Sequence, residues 1–591
     1  MRAEPAPAGE AAASGVDEAT EAALCMRILD ALLREDVHRF RTAGRLDRRR
    51  DGWWLTVDSG YRSAEFPVRE STFLGRLAAR GPHLNFADRP HDPDGRGTGR
   101  LETLLEFLAA GADPADADGF AAFAAECRAA LATVRSQEAS RAGVFARLAG
   151  QPARGHSGAL VYDTLAAHHD HPAYPTGRCR TGLTDHQLAA HAPEFHPAFA
   201  MRWAAVPRAA LFRTGTFPEF WPQPSTLGLP GGYDDTHIAI PVHPLTDPRA
   251  LTAAMPWLRP APEAYLDVAP TLSMRSVAVL GDPGVQLKVP LDTSTLGLRN
   301  RRTMKPGSLV DGDAGGRLLR RVLDAEPQFA GRILIADEHT YGHARHELVA
   351  FLVRRLPPGL DDARVVTVAA LAAAAPGGRT VVEALADEYF DGDPVAFYDS
   401  YLRLLLDWHV TLWMRYGIAL EAHQQNTSVV LDRDASGATR LRLLLKDNDG
   451  PRLIAARVQA ALDGPPLRFD DARIPVTDGR PLADLFTTIT LHLCAAAPLF
   501  GLAAAGRADA ADLMELLRDR LVEAAAPHAG TEDYALLRDG VLDAELLPVK
   551  LMVTAGTLLD KQRSGAADIN KHYARTGPNY LRPRRHADVR A

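Results

Sequence analysis

At 591 residues the chain is too long for one hydrophobic core, so two or three domains are expected. A hydrophobic fraction of 46% and a charged fraction of 24% are those of an ordinary globular protein. The net charge of -7 argues against a nucleic-acid partner, so any anion site must come from arginines clustered locally. Cys25, Cys127, Cys179 and Cys494 are scattered without a CxxC pair, which argues against a disulfide framework and points to a reducing cytoplasm. The start, MRAEPAPAGEAAASG, has no apolar core and does not read as a signal peptide. The most apolar run, LCAAAPLFGLAAAG, is broken by Pro498 and Gly501 and too short to span a bilayer, so no membrane partner is expected.

Residues 1–16 are rich in Ala, Pro and Gly and read as a disordered tail. Residues 17–152 read as a helical N-terminal domain: EAALCMRILDALLREDVHRF, RLETLLEFLAA and GFAAFAAECRAALATV space their apolar residues for helices, with one short alternating piece at Trp53–Val57. Cys25 and Cys127 are expected as core thiols.

Residues 153–395 form the second expected domain. His168, His169 and His171 crowd together, but Pro172 and Pro175 force an extended course and no further ligand stands at helical spacing, which argues against zinc. Arg178 and Arg180, two apart on an extended loop, point to one side and offer planar forks of donors to phosphate or carboxylate. Taken alone, that pair also fits a solvated basic turn. Ile238, Ile240 and Val242 alternate as a half-buried strand ending at His243-Pro244. Val277 and Val279, the turn Gly281-Asp-Pro-Gly284, and Val285, Leu287, Val289 and Leu291 alternating with Gln286 and Lys288 read as a hairpin. Symmetric closure sets Lys288 near Val277, on the face of Ser273 and Arg275. Thr295, Arg299, Arg301 and Arg302 follow directly. Cations packed so closely repel unless an anion offsets them, so a polyanionic ligand is expected. Neither GxxxxGK[ST] nor a strand-bound GxGxxG is present. RILIADE reads as a strand and HARHELVAFLVRRL as a helix.

Residues 396–591 form the third. Leu404, Leu405, Trp408, Leu412 and Tyr416 mark a helix that Gly417 stops. Glu421 and His423 alternate to one side of an extended segment, and Gln424, Gln425 and Asn426 break the alternation. Thr427–Leu431 and Thr439–Lys446 read as strands about the turn Asp434–Gly437. Symmetric closure faces Asn426 with Asp447 and gathers Glu421, His423, Asn426, Asp447 and Asp449 at one end, a site for a metal-bound anion. The competing reading is a hairpin with solvated acids. Beyond Gly450 the pattern is again helical, with Lys550, Lys561 and Arg563 adding charge.

In order, HPAYPTGRCRTG (His171–Gly182), PVHP (Pro241–Pro244), PTLSMRSV (Pro270–Val277), KVPL (Lys288–Leu291), EAHQQN (Glu421–Asn426) and KDNDG (Lys446–Gly450) resemble the siderophore synthetases that work independently of nonribosomal peptide synthetases, the aerobactin-synthetase or IucA/IucC-like family. The resemblance implies an α+β fold, hand-like with thumb, fingers and palm, a helical N-terminal region, a hairpin-built active site and a homodimer. It also implies ATP- and Mg2+-dependent adenylation of citrate or a citryl or dicarboxylate derivative. An amine, hydroxylamine or alcohol then captures the acyl group, and AMP and pyrophosphate leave. Carried over by motif, His171, Arg178, Arg180, Ser273, Arg275, Lys288, Asp447 and Arg299 or Arg302 would meet ATP. Ser273, Thr295, Arg299 or Arg302, Glu421, His423 and Asn426 would hold the acid. Asn426 and Asp447 would hold the metal, and Arg275, Lys288, Glu421 and His423 are the catalytic candidates.

Two other readings compete. Glu421 precedes Asn426 by five residues, as a kinase catalytic-loop Asp precedes its Asn, and Asp447 would stand for the metal-binding Asp of a small-molecule kinase. Against it, Glu replaces Asp, KDNDG is not DFG, and no Gly-rich loop precedes Lys288. A non-catalytic nucleotide- or siderophore-binding protein is the other, disfavoured because the acid and metal-ligand residue types are all retained.

Overall fold

A computed structural model describes residues 8–60, 62–86 and 100–583. The N-terminal part is not purely helical. Its helices Ala8–Glu35, Leu101–Ala110 and Ala117–Ala149 accompany a five-stranded antiparallel sheet built from Arg45–Arg49, Gly52–Asp58, Ser63–Glu70, Leu77–Ala79 and Asn85–Phe86. Leu55 and Val57, then Ala64, Phe66 and Val68, alternate inward against Ile28, Leu32 and Phe123. The sequence reading marks only Trp53–Val57 as alternating and takes the rest of residues 17–152 as helical, so the remaining strands of this sheet correct it. The first helix starts at Ala8, inside the segment read as a disordered tail. Ala8, Ala11, Ala12 and Ala13 are strong helix formers that extend it. Residues 1–7 of that tail lie outside the described residues.

The middle of the chain carries a seven-stranded antiparallel sheet in the order Phe199–Ala200, Asp267–Pro270, Ser276–Val279, Asp282–Lys288, Val349–Arg355, Asp337–His346, Phe212–Thr214. HARHELVAFLVRRL, read as a helix, supplies two of these strands. Val349–Val353 is buried on both faces, and a continuous apolar run carries no period that separates strand from helix. In the Ser276–Val279/Asp282–Lys288 hairpin the chain turns at Leu280–Gly281, not across Gly281–Gly284, with a bulge between Ala278 and Val279. Lys288 therefore pairs with Ser276, one residue from the symmetric closure about Val277.

The third core is organised by the helix Pro394–Tyr416, whose Tyr398, Tyr401, Trp408 and Trp413 are fully buried. Gly417 ends it at φ 67°, where its N–H caps Leu412 and Trp413. The strands Thr427–Arg433 and Thr439–Leu445 pair from Arg433↔Thr439 to Thr427↔Leu445. The intervening Asp434 side chain accepts from the Ser436 and Ala438 N–H groups, so five residues make the turn. That loop length puts Asn426 opposite Lys446, whose N–H donates to Asn426 O at 3.1 Å, and not opposite Asp447. The C-terminal part is not all helix either: Leu546–Lys550 and Tyr573–Pro578 pair antiparallel. By length and composition Arg480–Ala504 is one helical run apolar enough to cross a membrane, longer than the sequence suggests. It is a core element here, with 83% of its most apolar window buried inside the fold.

The helix Pro306–Ala325 passes directly behind the KDNDG segment. A Cβ on Gly315 would stand 2.2 Å from Asn448 O. Gly315→Ala is expected to cost about 1–3 kcal/mol, read as a lowered urea midpoint at unchanged slope. An unchanged midpoint would show that the 446–450 backbone yields freely.

Candidate active site

The three cores meet around a cavity of about 370 Å³, lined from the N-terminal part (Arg34, Leu74), the middle (His171, Arg178, Arg180, Ser273, Arg275, Thr295, Arg302, Arg354) and the last part (Glu421, His423, Asn426, Asp447, Asp449, Lys550). Met274, Leu296 and Asp447 hold positive φ angles of 62°, 57° and 61° in its wall. Non-glycine residues in that region store strain that the surroundings must hold, and such strain clusters at functional sites.

One end is cationic. Arg275 donates through Nη1 to the carbonyls of Arg302 (2.9 Å) and Thr303 (2.7 Å), while its buried Nε has no partner. The guanidinium of Arg302 has no hydrogen-bond or ion-pair partner among the described residues. Burial, with Arg275 nearby, pushes its pKa down to about 9. A buried cation beside another is costly until an anion arrives. Arg299 behaves differently: it donates to Thr557 O at 2.9 Å, its N–H reaches Gly556 O, and it does not line the cavity. Of the two candidates left open by sequence, Arg302 is the one that faces the ligand space, and the ligand-contact expectation for Arg299 is corrected. The Arg299 side chain is committed to the 554–558 turn.

Arg178 and Arg180 lie in the wall, but not as a free pair. Arg178 donates to Gln137 Oε1 (2.8 Å) and His168 O and lies 2.9 Å from Asp170. Arg180 donates to Arg178 O and sits 3.5 Å from the buried Glu194. His171 Nδ1 accepts from the N–H groups of Ala173 (3.1 Å) and Tyr174 (2.9 Å), which leaves the proton on Nε2. Burial, with Arg27 adding to it, lowers its pKa to about 3, so it is a neutral donor. No group of three or more His, Cys, Asp or Glu able to hold a metal occurs among the described residues, the 168–171 histidines included.

Lys288 is not in the cavity wall; its ammonium is bonded to Asp447. Arg354 Nη2 lies 3.6 Å from the same carboxylate, and the Asp447 N–H donates to Glu338 Oε1 at 2.9 Å. Burial opposes ionisation of Asp447, but Lys288, Arg354 and Arg275 outweigh it and hold the carboxyl well below its usual range. Asp449 goes the other way: burial and the charge of Asp447 push its carboxyl up to about 7. Ser273 and Thr295 both line the cavity.

At the other end, Glu421 Oε2 pairs with Lys571 Nζ at 2.5 Å. Burial raises the Glu421 carboxyl, but Lys571 and Lys550 more than offset it, to about 2. His423 is pushed down to about 4 by burial, and Asn426 Nδ2 lies 3.4 Å from its Nε2. His423 is influenced by Glu421 and Lys550 on one hand and by Asp447 and Arg302 on the other, so it stands between the two ends. Arg354, Lys550 and Lys571 were not anticipated as site residues. Lys550 and Lys571 come from opposite sides of a hairpin closed only by the tertiary fold, and Arg354 from the segment read as a helix.

Fold and site together set the buried guanidiniums of Arg275 and Arg302 and the carboxylates of Asp447 and Asp449 on one cavity. Residues 161–373 match the IucA / IucC family, and residues 395–562 match a second family described as ferric iron reductase FhuF-like transporter. Cys494 is the sole cysteine in that second span, buried, with its Sγ donating to Ala422 O at 3.2 Å. Staphyloferrin A synthase of Staphylococcus aureus is 24% identical over 326 residues, 50% of this chain and 53% of that protein. The rhizobactin siderophore biosynthesis protein RhbC of Rhizobium meliloti is 29% identical over 315 residues, 47% of this chain and 52% of its own. The chain thus spans about half the length of the curated relatives it matches. The ATP-bound aerobactin synthetase IucA of Klebsiella pneumoniae shares the fold, with a TM-score of 0.68 over 95% of this chain and all of that one at 17% identity. The IucA / IucC match over residues 161–373 and the fold shared with aerobactin synthetase agree with the resemblance that the sequence motifs carry.

Proposed function

We propose that the protein is an ATP-dependent ligase of siderophore assembly that adenylates a small carboxylic acid, citrate or a related di- or tricarboxylate, and joins it to an amine, hydroxylamine or alcohol. The observation that carries this reading is the unpartnered Arg302 guanidinium near Arg275, lining the same cavity as the Asp447–Asp449 pair. Attack of a carboxylate on the α-phosphorus brings two anions together. Arg302 and Arg275 lower that repulsion, and the pre-oriented His171 Nε2–H adds a neutral donor. The oxygens of Asp447, Asp449 and Asn426 suit Mg2+, which takes one or two protein carboxylates and completes its shell with phosphate and water. Bound there, Mg2+ would supply charge to the departing pyrophosphate. Neutral His423, between the two ends, is placed to accept the proton of the attacking amine, with Glu421 held ionised beside it.

A homodimer and a cytoplasmic location are further parts of this proposal. The four cysteines, all free and buried, suit a reducing compartment. The test is to incubate the protein with ATP, Mg2+, hydroxylamine and a panel of small di- and tricarboxylates, and to separate the spent nucleotide by chromatography. AMP and pyrophosphate in step with hydroxamate are expected. ADP in proportion to product would instead favour the small-molecule kinase.

A further inference from the structure

Behind the Asp447 end of the cavity, Gln286, Arg354 and Glu338 form a buried polar chain. Arg354 Nη1 donates to Gln286 Oε1 at 3.2 Å, and Arg354 Nε donates to Glu338 Oε1. The same Glu338 oxygen accepts the Asp447 N–H at 2.9 Å. Arg354 Nη2, also buried, has no hydrogen-bond partner and lies 3.6 Å from Asp447 Oδ1. Arg354 and Asp447 line the cavity, and Glu338 does not. Strand register puts Glu338 where it is. Asp337 pairs with Arg355 and Thr340 with Val353, so Glu338 and His339 stand opposite the single Arg354. A bulge of this kind re-aims a side chain, and bulges gather next to active sites.

Folding alone does not account for this chain. A buried arginine–carboxylate pair is often matched or bettered in stability by apolar side chains of similar volume. Asp447, moreover, has φ 61°, a region that non-glycine residues seldom enter and that their neighbours must hold. We propose that Glu338 is a positioning residue of the active site. Its Oε1 holds the Asp447 backbone in the left-handed conformation and turns Arg354 Nη2 toward the same carboxylate, which keeps that carboxylate in place for Mg2+. The inference rests on the ligase reading, which sets the metal at Asp447. Both bonds fall on one oxygen, so the atom counts for more than the charge. Glutamine keeps an oxygen there and alanine removes it.

The test is calorimetric titration of ATP with and without Mg2+, which gives the gain in affinity that the metal brings within each variant. The parent is expected to gain at least about tenfold, and supports of a metal ligand are typically worth about 10–100-fold in metal affinity. Glu338→Ala should bring the gain to near one, and Glu338→Gln should keep it within about threefold of the parent. Because the readout is a ratio within one variant, a reduced fraction of folded protein cancels. Hydroxamate formation should follow: Glu338→Ala is slow at low Mg2+ and recovers in excess Mg2+ by mass action, which a general loss of folding would not show. In the ligand-free protein, hydrogen exchange of the peptide carrying Asp447 should quicken in Glu338→Ala and not in Glu338→Gln. The parent's gain retained in Glu338→Ala, Glu338→Gln as damaged as Glu338→Ala, or unchanged exchange at Asp447 would each overturn the inference. So would a parent whose ATP affinity ignores Mg2+; if it still forms hydroxamate, the ligase reading stands without the inference. Failure of hydroxamate formation with every acid would overturn the ligase reading itself, and the inference with it.

Discussion

Arg302→Ala is expected to reduce ATP-dependent activation of the carboxylic acid by roughly 100-fold or more, while leaving the ligand-free protein at least as stable as the parent. A guanidinium on phosphate or carboxylate makes up to two charge-assisted bonds of about 1.5–3 kcal/mol each, and tenfold in rate corresponds to about 1.4 kcal/mol. The sign of the stability change follows from the empty site. Arg302 is buried beside Arg275 without a counter-ion, so its removal relieves desolvation and repulsion and breaks no bond of its side chain. Arg299→Ala is the contrasting control. Its Nη1 bonds Thr557 O at 2.9 Å, outside the cavity wall, so it should lose about 1 kcal/mol of stability and keep activity within a few-fold. Hydroxamate formation and thermal unfolding of both variants check this. Near-normal turnover in Arg302→Ala, or the larger activity loss in Arg299→Ala, would remove the arginine end from the site.

Asp449→Asn is expected to abolish most of the Mg2+-dependent turnover, and to stabilise the protein only at higher pH. Burial and Asp447 raise the Asp449 carboxyl from its ordinary 3.8 to about 7. Between those values the folded protein holds a proton that the unfolded chain has released, so this group's contribution to stability falls as pH rises through the window. Above 7 the full penalty is present, and below about 4 it is absent. The variant should therefore melt at the parent's temperature near pH 4 and above it at pH 8. Activity takes the opposite course. Parent turnover should rise through pH 7 as the carboxylate becomes free for the metal, and the variant should lose roughly tenfold or more together with that inflection. Melting curves across pH and turnover against pH at fixed Mg2+ decide it. A variant with the parent's pH profile would place the metal elsewhere.

What the sequence determined by itself is local. The helix that Gly417 ends, the two strands flanking Asp434–Gly437, and the hairpin leading to Lys288 follow from spacing and turn chemistry within a few residues, and the ordered motifs carried the family resemblance. Register was the first thing to escape. Lys288 pairs with Ser276 and Asn426 with Lys446, each one residue from a symmetric closure, because a bulge and a five-residue turn depend on side-chain bonds such as those of Asp434. A run buried on both faces was the second: Val349–Val353 carries no period, so a central strand read as helix and Arg354 was lost from the site with it. The choice between Arg299 and Arg302 was the third. Both are arginines on one loop, and only the packing of Gly297 against Gly556 and the carbonyl of Thr557 turns one away and leaves the other facing the cavity. Charge balance was the last. That Lys571 is satisfied by Glu421 across 150 positions while Lys550 is not depends on long-range contacts, which alone set the electrostatics of a buried site.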